Sequence, residues 1–169
     1  NIMMRFMDIL LSFPGILLAL IMVVMLGPGT YNLMIAVGIS AIPRIARLVR
    51  SSVLSVKETA FVEAARATGS SDMRIMVRHV LPNILAPLMI YATLRVGTAI
   101  LSAASLSYLG LGATPPTPEW GLMAAGGRKF LRTSWWLSIF PGISIGLVVV
   151  SLNMLGDALR DILDPRFQQ

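Results

Sequence analysis

From Ile9 to Pro43 the chain carries no charged side chain, a run of 35 residues (9–43). A water-soluble domain must place charge on its surface every few positions, whereas bilayer hydrocarbon tolerates almost none. The run is longer than the roughly 20 residues one membrane helix needs, at 1.5 Å per residue. Gly27-Pro28-Gly29-Thr30 interrupts it with turn chemistry. Two spans are therefore expected, at about 9–26 and 31–49. A third is expected at about 84–109, apolar except for Arg95, and a fourth at about 137–155, inside the charge-free stretch Thr133–Gly156. The whole 169-residue composition agrees, with 56% hydrophobic and 13% charged residues and a mean hydropathy of +0.77. Strands would leave unsatisfied backbone groups in lipid unless closed into a barrel, and these stretches lack the apolar–polar alternation a barrel requires. The expected fold is all-α, a polytopic transmembrane helix bundle.

What is missing narrows the chemistry. There is no Cys and a single His, His79, so thiolate sites, disulfides and multi-histidine metal centres cannot be built from this stretch. No glycine-rich loop ends in Lys followed by Ser or Thr; the nearest string, Gly126-Gly127-Arg128-Lys129, lacks both the leading glycine and the closing hydroxyl. The expectation is a non-enzymatic chain with no metal site and no cofactor of its own. The net charge of +6 is not read as a nucleic-acid signal, because membrane proteins collect basic residues in their cytoplasmic loops. Arg5, Arg44, Arg47, Arg50, Lys57, Arg66, Arg74, Arg78, Arg160 and Arg166 fall on one side, against Arg128, Lys129 and Arg132 on the other. That bias puts both ends and the loop 51–82 in the cytoplasm, with the turn at 27–30 and the loop 112–135 outside. Trp120, Trp135 and Trp136 fall in or beside that outer loop, as interfacial anchors or as packed aromatics of a folded loop.

The loop 51–82 carries the most local information. Ala60, Phe61, Ala64, Ala65 and Thr68 form the small and apolar face of a helix, and Gly69 stands where a left-handed residue ends one. Ser70 or Ser71 can cap a second helix with Asp72 in its first turn. Met73, Met76, Val77 and Val80 then recur at helical spacing, Arg74 and Arg78 form a basic edge, and Pro82 is expected to end the helix. The product is a helix–turn–helix hairpin outside the bilayer. It either tucks against the ends of the spans or fills a groove on a cytoplasmic partner.

Glu63-Ala64-Ala65, then Gly69, then Leu81-Pro82 resemble the signature loop of permease subunits of ATP-binding-cassette importers. The one departure is His79, where that family carries an aliphatic residue. Phe13-Pro14, Leu81-Pro82-Asn83, Tyr108-Leu109-Gly110-Leu111-Gly112, Pro115-Pro116-Thr117-Pro118-Glu119-Trp120-Gly121 and Asn153-Met154-Leu155-Gly156-Asp157 are similar to the second permease subunit of the dipeptide, oligopeptide and nickel branch. The resemblance implies a hairpin that docks on an ATP-hydrolysing subunit, with Glu63, Ala64, Ala65, Gly69, Leu81 and Pro82 as coupling residues. It implies ATP and magnesium on two such ATPase partners, a second homologous permease, an external solute-binding protein, and a bacterial inner-membrane location. It also implies that the chain, which begins at Asn1 directly before an apolar run, is the last four spans of six.

Arg95, about eleven residues into the third span, is an ionisable group at a costly depth. It can line a path and meet a peptide carboxylate, donate to carbonyls or a partner subunit, or reach the interface. Glu119 and Trp120 can touch an external protein, or Glu119 can cap its own loop. Gly142 and Gly146 allow a close helix crossing, within the chain or with a second permease. Arg160 and Asp164 are spaced to pair, and Pro165 to stop the last helix. The expected activity is import of di- or oligopeptides, with nickel as the alternative cargo and an ion-driven secondary transporter as the distant one. A secondary transporter needs ionisable groups at midplane, and Arg95 alone is a poor set.

Overall fold

The computed structural model describes residues 2–163, and the fold is an all-α bundle with no strand among them. Its helices are α1 (Ile2–Leu11), α2 (Gly15–Leu26), α3 (Thr30–Lys57), α4 (Ala60–Ala67), α5 (Asp72–Ile75), α6 (Leu81–Tyr108), α7 (Trp120–Gly127) and α8 (Trp136–Leu163). Three helical stretches are long and apolar enough to cross a membrane: Thr30–Lys57, Asp72–Tyr108 and Trp136–Asp161. The expected pairing of Arg160 with Asp164 and the stop at Pro165 lie outside the described residues.

The stretch expected as one span at 9–26 is instead broken. α1 and α2 meet at 97°. The cause is local: Pro14 has no N–H to continue the helix and takes an extended ψ of 131° as the N-cap of α2. The Ser12 hydroxyl donates to the Asp8 carbonyl at 3.2 Å, closing the end of α1. The Asp8 carboxylate accepts from Arg47 of α3 at 2.6 Å, which ties α1 to the end of the bundle where the arginines collect. The turn at 27–30 forms as expected. Asn32 Nδ2 donates to the carbonyls of Leu26 and Gly27 at 2.8 and 3.1 Å, so the reversal between α2 and α3 is closed by a side chain.

Pro82 does not end the hairpin's second helix. The helix continues from Asp72 to Tyr108, and a π-helical turn over Met76–Val80 absorbs the proline, with Leu81 N–H donating to the Met76 carbonyl. Widening the turn relieves the clash of the pyrrolidine ring with the preceding turn. α3 likewise runs on to Lys57 instead of ending near 49. The second hairpin arm is thus an extension of a membrane-length helix, while the first, α4, follows α3 as a separate helix after Glu58 and Thr59.

Two apolar clusters hold the bundle. Ala19, Val23, Leu33, Ala36, Val37 and Leu106 join α2, α3 and α6. Val62, Ile75, Val80 and Ile84 join the hairpin to α3 through Val49, Val53 and Val56. α6 and α8 cross where Gly97 faces Asn153 and Val149, and where Gly156 faces Leu94. The expected crossing at Gly142 and Gly146 does not occur within the chain: a Cβ at either position meets nothing within 4 Å.

These glycines separate by a simple substitution. A side chain at Gly156 collides with Leu94 Cδ2, 2.9 Å from the Cβ position, and overpacking of this kind costs about 1–3 kcal/mol. Gly156→Leu is expected to lower the thermal unfolding midpoint of the detergent-solubilised subunit. Gly142→Ala, with open space around it and a better helix former in place, is expected to leave the midpoint unchanged or raise it.

Candidate functional site

The hairpin is built from four residues of punctuation between two helices. α4 ends in a Schellman cap: Gly69 takes φ +81°, its N–H donates to the Arg66 carbonyl at 3.0 Å, and Ser70 N–H donates to the Ala65 carbonyl at 3.1 Å. A residue with a Cβ is strained at that φ. Ser71 then caps α5, its Oγ accepting from Arg74 N–H at 3.4 Å. Arg66 and Asp72 approach to 3.8 Å across the turn, but both are more than half exposed, so the pair adds little.

The buried side differs from the expected apolar faces: Val62 and Ile75, which those faces omit, turn inward and are buried with Val80, and Ala65 packs beside them. Phe61, Met73, Met76 and Val77 turn outward, with Met73 70% exposed. A hairpin that only tucked against the spans would bury such side chains. Glu63, Ala64 and Gly69 are exposed on the first arm and its tip, and Ala65 is half-buried. Leu81 and Pro82 are exposed at the start of α6, beyond the π turn. The ring of His79 lies 6.4 Å from that of Phe61, so the two arms share an aromatic contact.

A second feature lies between α2, α3 and α6, an open groove of about 670 Å³. Arg95 lines it, its guanidinium 5.9 Å from the Tyr91 ring centroid and its Nε buried with no hydrogen-bond partner. Arg44 lines the same groove, its guanidinium packed against Gly15 at the start of α2. The sequence places Arg44 in the basic cluster and gives no sign of this position. The signal is the face Met34, Val37, Ala41, Arg44, which only a partner helix reveals as a lining.

At the opposite end of the bundle, Glu119 caps α7. Its carboxylate accepts from Gly121 N–H at 2.9 Å and Leu122 N–H at 2.7 Å. That seats the small face Gly121, Ala124, Gly127 against α6 and α8. Trp120 beside it is exposed, as are Trp135 and Trp136, whose rings meet edge to face at 5.9 Å. Among the described residues no group of three or more His, Cys, Asp or Glu is arranged to hold a metal ion.

The family model for binding-protein-dependent transport system inner membrane components matches residues 1–169. The chain belongs to this family. Glutathione transport system permease protein GsiD of Shigella flexneri serotype 5b (strain 8401) is 49% identical over 168 residues, covering 99% of this chain and 55% of that protein. GsiD of Escherichia coli O1:K1 / APEC is 50% identical over 165 residues, covering 98% and 54%. The chain thus spans about half the length of the curated relatives it matches. This member of the family therefore presents two surfaces, an outward apolar patch on a rigid hairpin and a groove lined by two arginines.

The cap at Glu119 gives a direct test of its role. Glu119→Ala leaves two helix N–H groups without a partner, a loss of about 1–2 kcal/mol for caps of this kind. A lower unfolding midpoint of the isolated subunit in detergent is expected. A midpoint equal to the parent's would remove the capping role.

Proposed function

We propose that this chain is a membrane-spanning subunit of an ATP-driven importer and contributes to the translocation path for di- or oligopeptides. Its partners are a second homologous permease, two ATPase subunits that bind ATP and magnesium, and an external solute-binding protein. It performs no hydrolysis itself. The basic end, with the hairpin, faces the cytoplasm, in keeping with the Lys and Arg bias.

One observation carries the proposal: the outward patch of Phe61, Met73, Met76 and Val77 on a hairpin whose other side is welded to α3 and α6. An exposed apolar patch on a small rigid element marks a docking surface, and helix-in-groove recognition is its usual mode. Ala64 and Ala65 allow close approach beside it. Gly69 fixes the angle between the arms, so a push on the hairpin is delivered to two membrane-length helices without being lost in bending. Rocking of those helices exposes the path alternately to each side. The peptide class is favoured by the relatives' name as glutathione transport permeases.

Two outcomes follow. Met73→Glu with Met76→Glu is expected to reduce copurification of the ATPase subunits with the intact permease at least tenfold, since two charges must be desolvated in the docked state. Retention at the parent's level contradicts the docking role. Gly69→Val is expected to slow ATP-dependent peptide uptake into proteoliposomes at least tenfold. Uptake driven by an ion gradient, with neither ATP nor a partner, would overturn the whole reading.

A further inference from the structure

We propose that Arg44 and Arg95 act together as a carboxylate-reading pair in the groove between α2, α3 and α6, making the path selective for anionic or C-terminally charged peptides over cations. The inference rests on the peptide-importer reading and sharpens it to a charge class and two residues.

Both guanidinium groups line the same groove, and no Asp or Glu lines it with them. Among the described residues the ion pairs are Arg47–Asp8 and Arg66–Asp72, so neither Arg44 nor Arg95 is neutralised by a carboxylate there. Among the described residues, the Arg95 guanidinium lies over the face of Tyr91 and its Nε is buried with no acceptor. A donor of this kind, at membrane depth, is left needing an anion or carbonyl oxygen. A guanidinium is also the side chain best matched to a carboxylate, through two parallel N–H donors.

Size and the remaining polar groups agree. The groove of about 670 Å³ is of the size that takes small molecules. Its α3 wall runs from Met34 to Ile45, about 16 Å at 1.5 Å per residue, against about 10 Å for an extended tripeptide. Ser40, Thr98 and Ser102 also line it. Each hydroxyl donates to a carbonyl of its own helix: Val37 at 2.8 Å, Arg95 at 2.9 Å and Thr98 at 2.8 Å. With the hydroxyl hydrogens so used, the oxygens offer lone pairs, which suit peptide N–H donors. The rest of the lining is Ala, Gly and aliphatic side chains that tolerate varied side groups. A divalent cation would meet two positive charges and no carboxylate.

The test uses the absence of cysteine from this stretch. Ser102→Cys is introduced into the full-length permease in its assembled complex, with cysteines elsewhere in the complex replaced. Its modification rate is measured with two methanethiosulfonate reagents, one carrying a sulfonate and one a trimethylammonium, each normalised to a free thiol. The sulfonate reagent is expected to react about tenfold faster than the ammonium reagent, the size of effect that nearby uncompensated charge produces. Arg95→Gln should reduce that ratio several-fold, Arg95→Lys should retain it, and adding Arg44→Gln to Arg95→Gln should bring it close to one. A peptide with a free C-terminus should slow labelling, and its C-terminal amide should not. A ratio near one in the parent, as when an acidic group of another subunit pairs the arginines, overturns the proposal. So does a ratio that Arg95→Gln leaves unchanged, equal protection by acid and amide, or no labelling by either reagent. A transporter that moves no peptide yet shows the arginine-dependent ratio leaves the charge assignment standing and removes the substrate class.

Discussion

The apolar seam between the hairpin and the long helices is the interaction on which the rest depends. Val62, Ile75, Val80 and Ile84 are buried together against Val49, Val53 and Val56. Full burial of side chains of this size stabilises by roughly 1.5–3 kcal/mol each, far more than the exposed Arg66–Asp72 pair can add. Without the seam, α4 and the turn at Gly69 would be a loose loop, and a force applied to them would not reach α3 or α6. With it, the second arm and α6 are one body from Asp72 to Tyr108.

That continuity changes how the hairpin is understood. A separate lever would need its own joint to the membrane helices. Here the joint is the π turn at Met76–Val80, placed where Pro82 would otherwise strain the helix. The same turn leaves Met76 and Val77 on the outside and Val80 on the inside, so one local irregularity shapes both the outward apolar patch and the seam. At the other end of the bundle, Glu119 holds α7 against α6 and α8 through backbone hydrogen bonds. The central groove lies between these two anchored ends.

Much of this was legible in the sequence, for identifiable reasons. Charge-free runs report long apolar helices because lipid forbids charge, and Gly27, Gly29 and Gly69 report turns because few other residues accept their positive φ. The helix-ending effect of proline was not legible. Pro14 breaks a span, Pro82 widens a turn, and Pro43, Pro87 and Pro141 ride inside helices. The outcome depends on which neighbours satisfy the freed carbonyl, a tertiary matter. The glycines of the α6–α8 crossing are a similar case: Gly142 and Gly146 have the motif spacing but face open space within the chain, while Gly97 and Gly156, on different helices, make that crossing. Arg95 stood out by its depth in a span. Arg44 did not, because its approach to the groove depends on α2 turning at Pro14 to bring Gly15 against it.

The proposed coupling requires the hairpin and the long helices to move as one body when ATP binds to the assembled transporter. Spin labels at Ala67→Cys on α4 and Val96→Cys on α6, in the assembled full-length transporter, measure it by pulsed electron resonance. The account predicts one distance distribution between the two labels, the same without nucleotide and with ATP bound, while the distance from Ala67→Cys to a label on the partner permease changes. A shift in the Ala67–Val96 distance between the two states would show the hairpin flexing on its own and contradict the account.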